Sequence, residues 1–413
     1  MNALFKFVAP VIALALPASG LSAAAHDWPQ WRGPDRSDVS KETGLLKTWP
    51  AGGPKRVWLY EKAGNGYSGP AIANGKFFTL GTRDGKEILL VLDASTGKEL
   101  WTANLGSVLP NNWGNGPRGT PTVDGDRVYA ISGLGDVVCV AVADGKLVWK
   151  NSLTGLGGEQ PKWGYTESVL VDGNRVLCTP GGSKGAVAAL DKATGKLVWQ
   201  SVDFKDPAHY SSIVPAVING TPQYVQRTEK SVVGLAAADG KLLWQTTFPG
   251  RTAVIPTPIV RGNEVYVTAG YGSGHKLVRI GANNAVEVVY EGKEMKNHHG
   301  GVILVGDYVF GHADPGWLCQ DFKTGKSVWL HREFGKGAIG YADGMLYCLE
   351  EKTGNVVLID ASSKGWQEHG RFTLSPQTKI RSPSGAIWTH PVISNGKLYL
   401  RDQDIIYCFD VKG

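Results

Sequence analysis

Cysteine is scarce in this 413-residue chain and unsuited to pairing: Cys139, Cys178, Cys319, Cys348 and Cys408, each inside an apolar run such as VVCVAV or LYCLE. An odd, scattered set builds no disulfide framework, and these positions read as small core residues. The lack of C-x-x-C and C-x-x-C-H removes the usual thiolate zinc site and covalent haem. Charge is thin too, 19% of residues against ~25% in an average protein. The net charge of +6 comes without a dense Lys/Arg cluster, which argues against a nucleic-acid partner. No H-E-x-x-H, G-x-S-x-G or Walker A spacing occurs. Beyond the first 25 residues no apolar run approaches the ~20 needed to span a bilayer, so no transmembrane segment is expected.

The first 25 residues stand apart. Lys6 makes a basic start, Phe7 to Leu16 is apolar except for Pro10, and Ala23-Ala24-Ala25 offers a cleavage site before His26. This predicts a removable signal peptide over 1–25 and a periplasmic or secreted mature protein. No cysteine adjoins the cleavage site, so no lipid anchor is expected there.

Glycine is plentiful, 55 residues, and much of it recurs in register. The unit Thr/Asp-Gly-Lys-x-x-Trp appears as TGKELW (Thr96 to Trp101), DGKLVW (Asp144 to Trp149), TGKLVW (Thr194 to Trp199), DGKLLW (Asp239 to Trp244) and TGKSVW (Thr324 to Trp329). The first four Trp are 48, 50 and 45 residues apart, the length of one four-stranded propeller blade. Asn74-Gly75, Asp124-Gly125, Asp172-Gly173 and Asn395-Gly396 sit between apolar runs and predict type I′ hairpin turns. Two copies have decayed. After Pro258 the turn becomes Asn283-Asn284 and Val289 takes the Trp position; after Gly337 the outer strand lacks the Gly-Lys-x-x-Trp pattern.

Repeat starts at Pro70, Pro121, Ser168, Pro215, Pro258, Gly301, Ile339 and Pro391 predict an all-β fold: an eight-bladed β-propeller with four-stranded antiparallel blades. The last repeat ends at Asp404 to Gly413 with a third strand and no fourth, whereas Lys55-Arg56-Val57-Trp58-Leu59 resembles a fourth strand with no repeat before it. The N-terminal strand is therefore expected to complete the last blade and close the ring. That divides the chain into a signal peptide (1–25), an extended leader (26–54) and one propeller domain (55–413).

The repeat resembles that of the pyrroloquinoline-quinone (PQQ) repeat, or quinoprotein-like, propeller family, G-x-V-Y-V…L-D-x-x-T-G-K-x-x-W. It reads here Gly75-Lys76-Phe77-Phe78…Leu92-Asp93-Ala94-Ser95-Thr96-Gly97-Lys98-Glu99-Leu100-Trp101. The leader Asp27-Trp28-Pro29-Gln30-Trp31-Arg32-Gly33-Pro34 is similar to the start of short exported bacterial members. The resemblance implies either a PQQ- and calcium-dependent alcohol or sugar dehydrogenase, or a cofactor-free scaffold like the propeller subunit of the outer-membrane β-barrel assembly machinery. This chain departs from the dehydrogenases: it has no Cys-Cys dipeptide, lacks their chamber-building insertions, and offers no match to their calcium ligands or catalytic Asp.

In a propeller, loops leading into each innermost strand and loops joining second to third strands share one face. The first set contributes Tyr67, Trp113, Arg118, Trp163, Tyr165, Glu167, His209, Tyr210, His298, His299, Arg381, Trp388 and His390. The second contributes Arg83, Arg227, Tyr271, His275, His312, Asp314 and Arg401. Six of the nine His fall here. His275, His298, His299, His312 and Asp314 form a candidate metal set, since imidazole with carboxylate suits zinc, copper or iron. Their spacing matches no established motif, and loop His more often pair with backbone. Were a quinone bound, Trp163 or Trp388 would stack on it, with Arg118 or Arg381 at its carboxylates. Gly64-Asn65-Gly66-Tyr67-Ser68-Gly69 fits G-x-G-x-x-G but leads into a strand, so it lacks the helix terminus that binds pyrophosphate.

The preferred reading is a non-catalytic binding or scaffolding propeller, holding a protein or peptide on its loop face or a small molecule in its channel mouth. A PQQ-dependent dehydrogenase is the alternative. Fold alone does not choose between them.

Overall fold

Turn chemistry sets the hairpins that start each blade. In the computed structural model, which describes residues 26–413, Asn74-Gly75 and Asn395-Gly396 both lie at positive φ, as a type I′ turn requires. The Asp-Gly pairs behave differently. Asp124 pairs with Arg127 and Asp172 with Arg175, so Gly125 and Gly173 are the first central residues, and in these turns only the glycine has positive φ. That is the type II′ pattern, not the expected I′. The proposed signal peptide lies outside the described residues.

Eight sheets of four antiparallel strands follow one another around a ring, an eight-bladed β-propeller. The first blade runs Ala71–Ala73, Lys76–Arg83, Lys86–Asp93 and Glu99–Ser107. The last consists of Val392–Ser394, Lys397–Asp402 and Ile405–Asp410, with Arg56–Tyr60 as its outer strand. Trp58 pairs with Cys408 there, so the N-terminal strand closes the ring and the join between first and last blades is sealed.

The Trp of each regular repeat works at the seam between blades. It sits beside a register shift in its own outer strand, opposite a small residue: Val91, Cys139, Ala189, Gly234, Cys319 or Cys408. Three of the five cysteines therefore make room for an indole, and all five are buried and free. For Trp58, Trp101, Trp149 and Trp199 the ring then lies on the turn glycine of the following blade. A Cβ on Gly145 would come within 2.6 Å of the Trp101 ring, and one on Gly195 within 2.5 Å of the Trp149 ring. Gly is required twice over, by this contact and by φ near +70°. Where the next turn allows, the indole N–H also donates across the seam, as from Trp149 to the Lys192 carbonyl at 2.9 Å.

The decayed copies keep this arrangement by other means. In the fifth blade it is Tyr290, not Val289, that pairs with Leu277 beside the register shift and lies on Gly325. The expected position was one residue off because the extra residue of the bulge cannot be counted from the sequence. In the seventh blade Gly370 occupies the Trp position, and Trp49 of the leader packs over it, ring to ring with Tyr347 and Phe372.

The leader does more than extend. Trp28 bridges to Ile72 of the first blade, and Val39–Ser40 adds a parallel strand beside Gly337–Ala342 of the seventh. Between them the chain enters the central channel. Arg36 donates to the Ser168 and Val169 carbonyls of the third blade, and Arg32 to the Val302 carbonyl of the sixth. Arg32 is ion-paired with Asp38 at 2.9 Å, both fully buried. The leader thus plugs the channel at the end where the first-to-second-strand turns lie.

Candidate functional site

The opposite end of the channel stays open. Loops that lead into the innermost strands rise around a cavity of about 410 Å³, floored by Trp31 of the leader and His390. Glycine lets these loops crowd together: a Cβ on Gly114, at φ +123°, would sit 2.4 Å from the Tyr67 hydroxyl, and one on Gly301, at φ +72°, 2.7 Å from His390.

An arc of rings forms one wall. Arg118 lies over Tyr67 at 5.0 Å, Tyr67 meets Trp388 at 4.9 Å, and Trp388 stacks on His299 at 4.3 Å and 15°. His299 contacts His298 at 3.7 Å, which meets Tyr271 edge-on at 4.7 Å. The arc stands on the plug: His390 bonds the His299 carbonyl at 2.9 Å through one nitrogen and Asp38 at 3.0 Å through the other. Trp163 and Tyr210, 5.6 Å apart, face the arc from the third and fourth blades.

The charges are few: Arg118, Lys336 and Lys352 against Glu351. Lys336 donates to His298 Nδ1 at 2.6 Å and pairs with Glu351 at 3.6 Å. That leaves the His298 proton on Nε2, which is buried without a partner, as are His299 Nδ1 and the Trp388 indole N–H. Burial, with Lys336 adding to it, pushes His298 down to about 3, and burial holds His299 well below the usual imidazole range. Burial raises Glu351 despite Lys336. Arg118 donates to the Trp163 and Gly114 carbonyls, each at 2.8 Å, and among the described residues has no carboxylate in ion-pair reach. Burial lowers its pKa.

Of the residues singled out from the sequence, Arg118, Trp163, Trp388, His298 and His299 line the cavity together. Arg381 is turned away, held by Asp402 at 2.5 Å. His275 is buried at the seam of the fifth and sixth blades, beside Gln320 at 2.9 Å. His312 accepts from the Asp314 backbone N–H at 3.2 Å and meets Trp317 edge-on. The five candidate metal ligands thus divide among three places: His298 and His299 in the cup, His275 at its seam, and His312 with Asp314. No group of three or more His, Cys, Asp or Glu among the described residues is placed to hold a metal ion.

Trp31, Lys336, Glu351 and Lys352 escaped the sequence reading. Lys336 precedes the first strand of the seventh blade and Glu351 follows its second, so both occupy the loop classes inspected. The decayed repeat hid them. Nothing in the repeat pattern points to Trp31, which arrives from the leader.

A PQQ-repeat family model described as outer membrane protein assembly factor BamB matches residues 85–357. The chain is 24% identical over 323 residues to outer membrane protein assembly factor BamB of Moranella endobia, covering 75% of this chain and 70% of that protein. It is 25% identical over 337 residues to a polyvinylalcohol dehydrogenase from Sphingopyxis, covering 70% of this chain but 48% of that protein. In fold it is similar to BamB from Moraxella catarrhalis, with TM-score 0.57, 15% identity and coverage of 84% and 94% of the two chains. It is equally similar to the quinohemoprotein alcohol dehydrogenase of Comamonas testosteroni, with TM-score 0.60, 12% identity and coverage of 94% and 81%.

Proposed function

The chain belongs to the PQQ-repeat β-propeller family whose model is described as outer membrane protein assembly factor BamB, and from that premise we propose that it is an exported binding or scaffolding propeller that engages its partner at the loop-face cup. One observation carries this reading: a plugged channel leaves a single-mouthed aromatic cup whose Arg118 has no carboxylate of its own. Aromatic rings with an arginine are the composition of recognition surfaces. No helix among the described residues is long and apolar enough to cross a membrane, and the N-terminal segment reads as an export signal.

A quinone with its calcium does not fit the cup. Calcium takes six to eight oxygen ligands, whereas the cup's one carboxylate, Glu351, pairs with Lys336. The chain also spans about half the length of the dehydrogenase relative.

The test places a photo-cross-linking residue at Trp113, on the cup rim, and at Leu147, on the ring circumference, in cells exporting the protein. Native mass spectrometry of the same material detects small-molecule adducts. We expect adducts that depend on the cup, either cross-linked from position 113 but not 147 or released by Trp388→Ala. Their absence from both measurements, or dye-linked alcohol oxidation after adding PQQ and Ca²⁺, overturns the reading.

A further inference from the structure

The ligand class follows from what the cup leaves unpaired, and it rests on the reading of the cup as a binding site. Most guanidiniums in the channel and loop face already have their partners. Arg32 has Asp38 at 2.9 Å, Arg83 has Glu99 at 2.8 Å and Arg381 has Asp402 at 2.5 Å. Arg401 is saturated by backbone carbonyls and the Thr79 hydroxyl. Arg118 differs. Its Nε and Nη2 are spent on the Trp163 and Gly114 carbonyls, Nη1 bonds nothing among the described residues, and the group lines the cavity. Since Lys336 and Glu351 offset one another, Arg118 and the exposed Lys352 leave the cup with excess positive charge.

Shape narrows the ligand further. Trp31 and His390 close the floor, and about 410 Å³ admits a compact molecule or a chain end rather than a threaded polymer. The Tyr67–Trp388 wall begins directly beneath Arg118, so an anion on the guanidinium sets the rest of its molecule against aromatic faces. We infer that the cup takes a compact ligand bearing a carboxylate close to a ring with an apolar face, the carboxylate on Arg118 and the ring along the Tyr67–Trp388 arc. Arg presents N–H groups to a carboxylate in a fixed fork. Two sources share this chemistry: a sugar acid, whose C–H face lies on an aromatic ring, and an aromatic carboxylic acid.

Calorimetry and tryptophan fluorescence on residues 26–413 separate them, with digalacturonate and 4-hydroxycinnamate as probes, each beside its methyl ester. We expect one acid to bind and its ester to bind about tenfold or more weakly, the scale of one charge-assisted hydrogen-bonded pair. Arg118→Gln abolishes that preference, while Arg118→Lys retains part of it; a melting curve on each variant confirms the fold. Equal affinity for acid and ester, or an unchanged preference in folded Arg118→Gln, overturns the inference. If neither acid binds while cup-dependent adducts persist, the ligand class is wrong and the binding site stands. If the adducts are absent as well, both fall.

Discussion

At the plugged end of the channel, Arg32, Asp38 and His390 are buried together, and their charged groups pair within the chain, Asp38 with Arg32 at 2.9 Å and with His390 at 3.0 Å. At the open end Arg118 is partly buried and lines the cavity, with no carboxylate among the described residues in ion-pair reach. Both ends remove charged groups from water, and only one of them completes the pairing internally. A buried ion pair that is satisfied holds a register; an unsatisfied cation costs stability and is suited to a ligand that supplies the anion. The difference marks the plug as architecture and the cup as the place where the protein meets something else.

The largest break in this contrast comes from Asp38→Ala. It strands Arg32 and His390 without their shared carboxylate, and removing one partner of a buried pair costs about 3–5 kcal/mol. The urea midpoint is expected to fall accordingly, and the His299–Trp388 stack, seated on His390, to loosen with it. Tryptophan fluorescence measured in the same titration checks the second effect.

Acid sharpens the comparison from the open end. His298 is neutral when folded, since burial and Lys336 push it down to about 3, but once unfolded it takes a proton near its ordinary 6.5. Its contribution to stability is therefore whole above pH 6.5 and is lost as pH falls towards 3. His209 and His312, each lowered to about 4 chiefly by burial, act in the same direction. Glu167 opposes them: burial raises it to about 7, so its contribution is full below 4.5 and is lost as pH rises through 7. Between pH 7 and 5.5 a His298→Gln variant is expected to lose ~1.2 kcal/mol less than the parent, read from urea midpoints at the two pH values.

The smallest effect is expected from Arg118→Met. Two hydrogen bonds to carbonyls are lost, but so is the cost of an unpaired desolvated cation, and the net change is expected to stay under ~1 kcal/mol. Thermal unfolding would show it. A drop comparable to that of Asp38→Ala would make Arg118 a structural residue and remove the contrast between the two ends.

The cup was partly legible before the structure. Arg118, Trp163, Trp388, His298 and His299 were identified because the repeat places loops of known class on one face, and class membership survives without knowing side-chain direction. Arg381, His275 and His312 belong to those same loops yet point into seams or onto neighbours, and Asp314 is exposed. Direction depends on packing that a one-dimensional period does not carry. The Tyr290 position failed for a related reason, since a bulge adds a residue that strict counting misassigns.

By itself the sequence determined the blade count and the closing strand, because those depend on turn chemistry and a period repeated along the chain. Only the tertiary structure decided that the leader enters the channel and floors the cup. It alone revealed that Trp49 replaces a missing seam ring, and that Arg118 is left without an anion. These are contacts between segments far apart in the chain, fixed by which groups must be desolvated together when the ring closes, and no local pattern encodes them.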